Sequence, residues 1–318
     1  MSEPSATDPS AFVESAWRDQ AVWSDAAGAL KTSLTRWRLV AALAGIAGAL
    51  LTTAAGTLAA LGPEATAAWP LARPFAAGLG TLLLALVPYV LKARVSTEQV
   101  RAWTRARAAS EALKETIYRF LLGAAPYGPA PAAADLVRHC QTIKQGLSDL
   151  GALAATVATP ARKDRPTSLD ADGYVAQRVD GQVERYYYPK ARANALAARR
   201  LRGWEFALSL LAALLGAAAG LADPLGLAAL GLLAPWAAVA TTVAGAVTSH
   251  LAASHYDHQA TVYFSTAERL RGMRDEWRAT PDRLQPEAVA TFVDACERAI
   301  TAENESWLAE WSGAKPEG

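Results

Sequence analysis

The chain has 318 residues with 31 basic and 30 acidic side chains, and its formal net charge of +1 gives no electrostatic case for a nucleic-acid partner. Its length accommodates two domains of ordinary size. The two cysteines, Cys140 and Cys296, show no Cys-x-x-Cys or Cys/His spacing. A disulfide framework, a metal and a cofactor are therefore not expected, and both thiols read as reduced packing residues.

In chain order, residues 1–10 read as a polar tail, and Ala11 to Arg38 as an amphipathic helix carrying Phe12, Trp17, Trp23, Leu30, Leu34 and Trp37. The 25 residues from Leu39 to Pro63 then carry no charge. At ~1.5 Å rise per residue such a helix crosses a hydrocarbon layer of ~30 Å. Starting this late and running this long, it does not suit a cleaved signal, so insertion is expected to use the spans themselves. Three further uncharged blocks follow, Pro74–Leu91, Phe206–Ala222 and Pro224–Tyr256. The expected fold class is all-α, a helical membrane protein with four transmembrane helices in two hairpins, at about 39–61, 74–92, 204–222 and 236–255. Pro224 to Leu233 reads either as an outer loop or as an extension of a span.

If all four blocks span, Arg73 is the only Lys or Arg on one side, and the other 30 of the chain's 31 lie opposite. That asymmetry predicts a multi-pass inner-membrane protein with both termini and the segment 92–205 in the cytoplasm. Trp37 falls where an interfacial aromatic is expected. Lys92, Arg94, Arg199, Arg200 and Arg202 fall where basic residues face anionic lipid.

After Lys92, the positions Val100, Trp103, Ala106, Ser110, Leu113, Ile117 and Phe120 recur at steps of three and four, which predicts a helix ending at Gly123. A further helix is expected over about 132–157, with Leu136, Cys140, Ile143, Leu147, Leu150 and Ala154 on one face. Residues 158–173 read as a linker. The second half then repeats the first, with a basic helix from Tyr174 to Arg202, a span, a Pro-Trp turn and the last span. Ser110-Glu111-Ala112-Leu113-Lys114 corresponds to Ala267-Glu268-Arg269-Leu270-Arg271, and Asp19-Gln20 to Asp180-Gly181-Gln182. A duplicated unit of two spans flanked by helices follows, with domains at 1–157 and 174–318. Tyr256, Tyr263, Leu270 and Trp277 recur at sevens, and Val289, Val293, Cys296, Ile300 and Trp307 continue the pattern beyond Pro281 and Pro286. Such spacing specifies helix against helix, within a protomer or between protomers.

The segment from Trp103 through Glu111 and Glu115 to Tyr127 resembles the post-membrane helix of the SLATT families, bacterial two-transmembrane effector domains associated with SMODS and SLOG conflict systems. Tyr174 to Lys190, with Asp180 and Gln182, resembles the pre-membrane helix of a second branch, and Glu297, Glu303 and Trp307 resemble its C-terminal end. Glu268 stands where Glu111 does in the first unit. The resemblance implies a tandem SLATT protein, a pore-forming or membrane-disrupting effector in antiviral defence, triggered by a separate cytosolic sensor or nucleotide-generating protein.

No Walker loop, Gly-x-Ser-x-Gly or His-Glu-x-x-His occurs, so no enzyme is expected. His250, His255 and His258 cluster at the cytoplasmic end of the last span with Asp257, where headgroup-level capping outweighs a metal or proton-sensing role. The blocks contain no Asp, Glu, Lys or Arg, which argues against an ion-coupled transporter. They carry small and hydroxyl residues instead: Thr52 and Gly56 on one helix, Gly216 and Gly220 on a second, and Thr241, Gly245 and Thr248 on a third. Such faces either pack helices closely or line a weakly polar path. Four helices of one chain fill their own centre, so a water-filled pore requires a homo-oligomer, for which the heptad helices are the expected surface. The competing reading is a non-conducting scaffold that holds cytosolic partners through those heptads. Glu111 and Glu268 read as surface charges or as partners of Arg199, Arg200 and Arg202.

Overall fold

The computed structural model describes residues 9–62, 64, 70–129, 131–157, 166 and 169–312, with side chains described up to 303. No strand occurs among the described residues. The elements are α1 (Pro9–Ala60), α2 (Ala72–Arg94), α3 (Thr97–Leu121), α4 (Ala133–Gln145), α5 (Gly151–Thr156), α6 (Ala171–Tyr174), α7 (Asp180–Gln182), α8 (Tyr188–Gly220), α9 (Ala228–Gly231), α10 (Ala234–Ser254), α11 (Tyr256–Ala279) and α12 (Pro286–Ser312). Most of the linker at 158–173 and the side chain of Trp307 lie outside the described residues.

The chain forms two compact units, and each draws on both sequence halves. Unit 1 combines Met1–Thr32, Thr97–Arg192 and Gln259–Gly318, and unit 2 combines Ser33–Ser96 and Ala193–His258.

Unit 2 holds the uncharged blocks. α1, α2 and the helical runs Ala171–Gly220 and Ala228–Ala279 are each long and apolar enough to cross a membrane. In their most apolar windows no more than 28% of residues are buried, and in the third none are. Leu43, Leu50, Phe75, Leu82, Phe206 and Leu214 are among the large apolar side chains left exposed, and among the described residues outside unit 2 only Phe264 and Leu284 join them. A folded chain in water buries such a surface, whereas in hydrocarbon it is already solvated. This is a helical membrane protein.

Within the first hairpin α1 meets α2 at glycines. A Cβ on Gly80 would stand 2.8 Å from Thr52 Cγ2 and 2.9 Å from the Thr52 backbone nitrogen, and one on Gly48 would stand 2.9 Å from the Gly80 carbonyl oxygen. Lipid supplies no hydrophobic drive between helices, so this close approach, with its dispersion contacts, is what joins them. α2 tolerates Pro88 in its interior. Between α8 and α10, residues 224–233 form turns around the short α9.

Unit 1 is water-soluble in its design, with apolar stripes turned inward. Trp103, Ala106, Ser110, Leu113, Ile117 and Phe120 of α3 are all buried, as their spacing predicts. α3 stops where Gly123 takes φ +62°, with the Ala124 amide donating to the Arg119 carbonyl at 2.9 Å. A Cβ on Gly123 would stand 2.7 Å from the Gly128 carbonyl oxygen, so the turn admits only glycine. The expected helix over 132–157 is instead split into α4, a 3-10 turn at Ser148–Leu150 and α5. Gly146 is a weak helix former, and Arg105 holds the break by donating to the Gly146 carbonyl at 2.7 Å and to both Asp149 oxygens at 2.7 and 2.8 Å.

The run from Ala171 contains two π-helical turns, Val175–Val179 and Val183–Tyr187, ahead of α8. Val175, Val179, Val183, Tyr187 and Ala191 are all buried and recur at strict fours. Four residues of an α-helix advance roughly 400°, so such a stripe drifts about 40° per step off its face. The wider π turns cancel the drift and keep every member in the core. They meet Tyr263, Ala267, Leu270 and Trp277 of α11 and Phe292, Val293, Cys296 and Ile300 of α12. The heptad stripe is therefore consumed inside the protomer, which corrects its expected use as an assembly surface.

Replacing Gly80 with leucine is expected to destabilise the first hairpin by about 1–3 kcal/mol through overpacking. Gly78 has nothing within 4 Å of its Cβ position, and Gly78→Leu serves as the control that leaves the unfolding midpoint in detergent unchanged.

Candidate functional site

The residues that carry the family resemblance converge in unit 1 on a buried ionic network. Glu297 of α12 is fully buried and Arg178 of the first π turn is 2% exposed. Arg178 donates from Nε to Glu297 Oε1 at 2.9 Å and from Nη2 to Oε2 at 2.8 Å, and Tyr174 donates its hydroxyl to Oε1 at 3.0 Å. The guanidinium also lies 5.2 Å from the centre of the Tyr118 ring on α3. Burial works against the charge on Arg178, and Glu297 outweighs it, raising its pKa further above the usual range. One ion pair thus ties three stretches distant in sequence.

Around it stand the other motif residues. Glu111 accepts from Lys114 at 2.8 Å and faces Arg178 Nη1 at 3.6 Å. Neither Arg178 Nη1 nor Glu111 Oε2 has a hydrogen-bond partner. Glu303 stands 3.5 Å from Arg107, which also donates to the Tyr186 hydroxyl at 2.9 Å, and Glu303 accepts from the Tyr187 hydroxyl at 3.4 Å. Glu115 accepts from Arg119 at 2.8 Å and from Thr301 at 2.7 Å, and Arg119 reaches Asp294 at 2.6 Å. Arg107, Glu111, Arg178, Gln182, Tyr186 and Glu303 line a cavity of about 410 Å³.

The remaining motif positions serve packing. Trp103 is buried, with the Lys31 ammonium 5.7 Å from its ring centre. Tyr127 packs edge-on against Phe120 and pairs its hydroxyl with His139 Nδ1 at 2.8 Å. Asp180 accepts from Arg274 at 2.7 Å, Gln20 donates to the Ser110 hydroxyl at 2.8 Å, and Asp19 pairs with Lys144 at 2.6 Å. The pre-span acids Asp19 and Asp180 thus both pair within unit 1, whereas Gln182 lines the cavity. Glu268 accepts from the Tyr188 hydroxyl. The partners of Glu111 are accordingly Lys114 and Arg178 rather than the arginines at 199, 200 and 202. Sequence distance hid this pairing, since a single buried arginine shows no pattern of its own. Cys140 and Cys296 are buried free thiols, and burial pushes Cys296 up to about 12.

The membrane candidates separate into two groups. Thr52 lies against Gly80, its hydroxyl donating back to the Gly48 carbonyl at 2.9 Å, so it serves helix packing. Thr248 donates to Glu205 at 2.7 Å. Gly56 and Gly245 have nothing within 4 Å of their Cβ positions, and Thr241 is exposed with its hydroxyl bonded to the Ala237 carbonyl at 3.0 Å. The three histidines expected to cluster at the end of the last span fall on different elements. His255 takes φ +47° as the cap that ends α10, and His258 belongs to α11, while His250 stands 3.3 Å from the Tyr256 hydroxyl. Among the described residues no group of three or more His, Cys, Asp or Glu is placed to hold a metal.

Two outcomes follow from the network. Arg178→Met leaves Glu297 as an uncompensated buried charge and is expected to destabilise unit 1 by about 3–5 kcal/mol, while Arg178→Met with Glu297→Met regains most of it, checked by denaturant unfolding in detergent. Burial alone would raise the Glu111 carboxyl, but Lys114 and then Arg178 outweigh it and hold it at about 2 against an ordinary 4.5. Its stabilising contribution is complete above 4.5 and is lost as pH falls towards 2, so the unfolding midpoint declines through that window and Glu111→Gln removes that part of the decline.

Two protein-family models match the chain. Residues 174–307 match SLATT_1, the SMODS and SLOG-associating 2TM effector domain 1, and residues 19–135 match DUF4231, a protein family of unknown function. No curated protein and no solved structure matches. The motif residues Trp103, Glu111, Glu115 and Tyr127 fall in the first-half match, and Asp180, Gln182, Glu268, Glu303 and Trp307 in the second. Across residues 174–307, which hold the last two apolar blocks, the chain is thus similar to a SLATT two-transmembrane effector domain.

Proposed function

We propose that the protein is the pore-forming component of a bacterial conflict system, resident in the inner membrane with both termini in the cytoplasm and opened when a cytosolic signal drives protomers to assemble. The observation that carries this reading is the exposed apolar surface of unit 2, which holds small and hydroxyl residues at positions the protomer leaves open. Gly56 and Gly245 have empty space at their Cβ positions, and Thr241 and Gly245 are one helical turn apart. In a homo-oligomer such faces admit close helix contact, and the Thr241 hydroxyl contributes polarity to a path between protomers. The family match supports the effector role, and a sensor or nucleotide-generating partner is the proposed source of the trigger.

The rival reading is a non-conducting scaffold that holds partners through the heptad helices. Its surface is the weaker of the two, because Tyr263, Leu270, Trp277, Val293, Cys296 and Ile300 are buried in the core of unit 1.

Reconstituted in liposomes and cross-linked into oligomers, the protein is expected to collapse an imposed potassium diffusion potential. Gly245→Leu is expected to slow that collapse at least tenfold without shifting the unfolding midpoint. An undiminished potential in the cross-linked wild-type protein would sink the pore.

A further inference from the structure

The cavity of about 410 Å³ in unit 1 is walled by α1, α3, α12 and the two π turns, and its volume lies in the lower part of the range for small-molecule sites. Four cations face it, Arg107, Lys114, Arg178 and Arg185, against two carboxylates, Glu111 and Glu303. Both carboxylates have partners. Glu111 accepts from Lys114 at 2.8 Å. Glu303 lies beside Arg107 at 3.5 Å and the Tyr187 hydroxyl at 3.4 Å, and burial raises its pKa towards the neutral acid.

On the positive side Arg107, Lys114 and Arg178 have carboxylate partners in Glu303, Glu111 and Glu297, which leaves one Arg178 nitrogen and Arg185 to account for. The Arg178 side chain is 3% exposed, yet its Nη1 donates to nothing and stands 3.6 Å from Glu111 Oε2. A buried guanidinium N–H without an acceptor is uncommon, and here it belongs to a residue that lines the space. Arg185, exposed on the second π turn, forms no ion pair among the described residues. Gln177 and Gln182 add side-chain amides to the wall. The wall is also where the backbone departs from α-helix twice, a feature common at functional sites. Separate guanidinium and amide donors around one space suit a group with several acceptor oxygens.

We propose that this cavity binds a phosphate-bearing small molecule, whose oxygens accept from Arg178 Nη1 and the Arg185 guanidinium. The site is independent of conduction: binding and its loss are read on the protein whether or not a pore opens. A free metabolite and a lipid headgroup carry the same phosphate chemistry.

Calorimetric titration of the detergent-solubilised full chain separates them, with inorganic phosphate, AMP and a short-chain phosphatidic acid as probes and adenosine as the uncharged control. At least one phosphate probe is expected to bind saturably and adenosine is not. Arg185→Gln is expected to weaken binding roughly tenfold and Arg185→Lys to restore most of it, with the unfolding midpoint in phosphate-free buffer unchanged in both. Saturation by phosphate or AMP assigns a free metabolite, and saturation by phosphatidic acid alone assigns a headgroup. No saturable binding to any of the three, equal binding to adenosine, or equal affinity in Arg185→Gln overturns the proposal.

Discussion

The bidentate pair between Arg178 and Glu297 governs the build of unit 1. Both groups are out of water, and neither is stable there without the other. Meeting those demands brings the pre-span helix of the second half against the C-terminal helix, with Tyr174 filling the remaining acceptor position and Tyr118 of α3 covering the guanidinium face. Apolar residues of suitable volume would pack as stably. The ion pair adds directionality, because two parallel hydrogen bonds permit one register of the helices and penalise the others.

That register makes sense of the π turns. A stripe at strict fours would leave the core of an ordinary α-helix within two turns, and the two underwound segments hold it there from Val175 to Ala191. They also set Gln177, Arg178, Gln182 and Arg185 around the cavity. Packing and cavity are consequences of one backbone feature. A change in the winding of this segment would alter both together, and the same helical run continues from Ala171 to Gly220, into the third apolar block.

The two units answer to different solvents. In unit 1 apolar side chains leave water and cluster, so Tyr174, Leu113, Ile117 and Leu270 have essentially no exposure. In unit 2 burial offers no gain over lipid, so leucines face outward and helices meet where glycine lets backbones touch, at Gly48 and Gly80. Leucine is concentrated in unit 2, and the charges are concentrated in unit 1, so composition and the interleaving of charge both distinguish them along the chain.

The sequence by itself determined the all-helical class, the four apolar blocks, the α3 stripe and the breaks at Gly123 and Pro286, because each is written in local periodicity or in the restricted backbone of one residue. The pairs Glu111 and Glu268, and Asp19-Gln20 and Asp180-Gln182, suggested a duplicated plan, whereas the compact units each combine segments of both halves. Other features depended on tertiary structure. The heptad of α11 and α12 is equally suited to an internal or an external partner, and only the fold shows it turned inward. Glu111 has several arginines within sequence reach, and the one it meets is chosen by helix packing. The π turns left a trace in the stripe at fours, but the spacing acquires meaning only once the facing helices are known. Local patterns state which surfaces must be covered. Which surface covers which is a property of the whole chain, since a buried charge or an apolar stripe is satisfied by partners that lie far away in sequence.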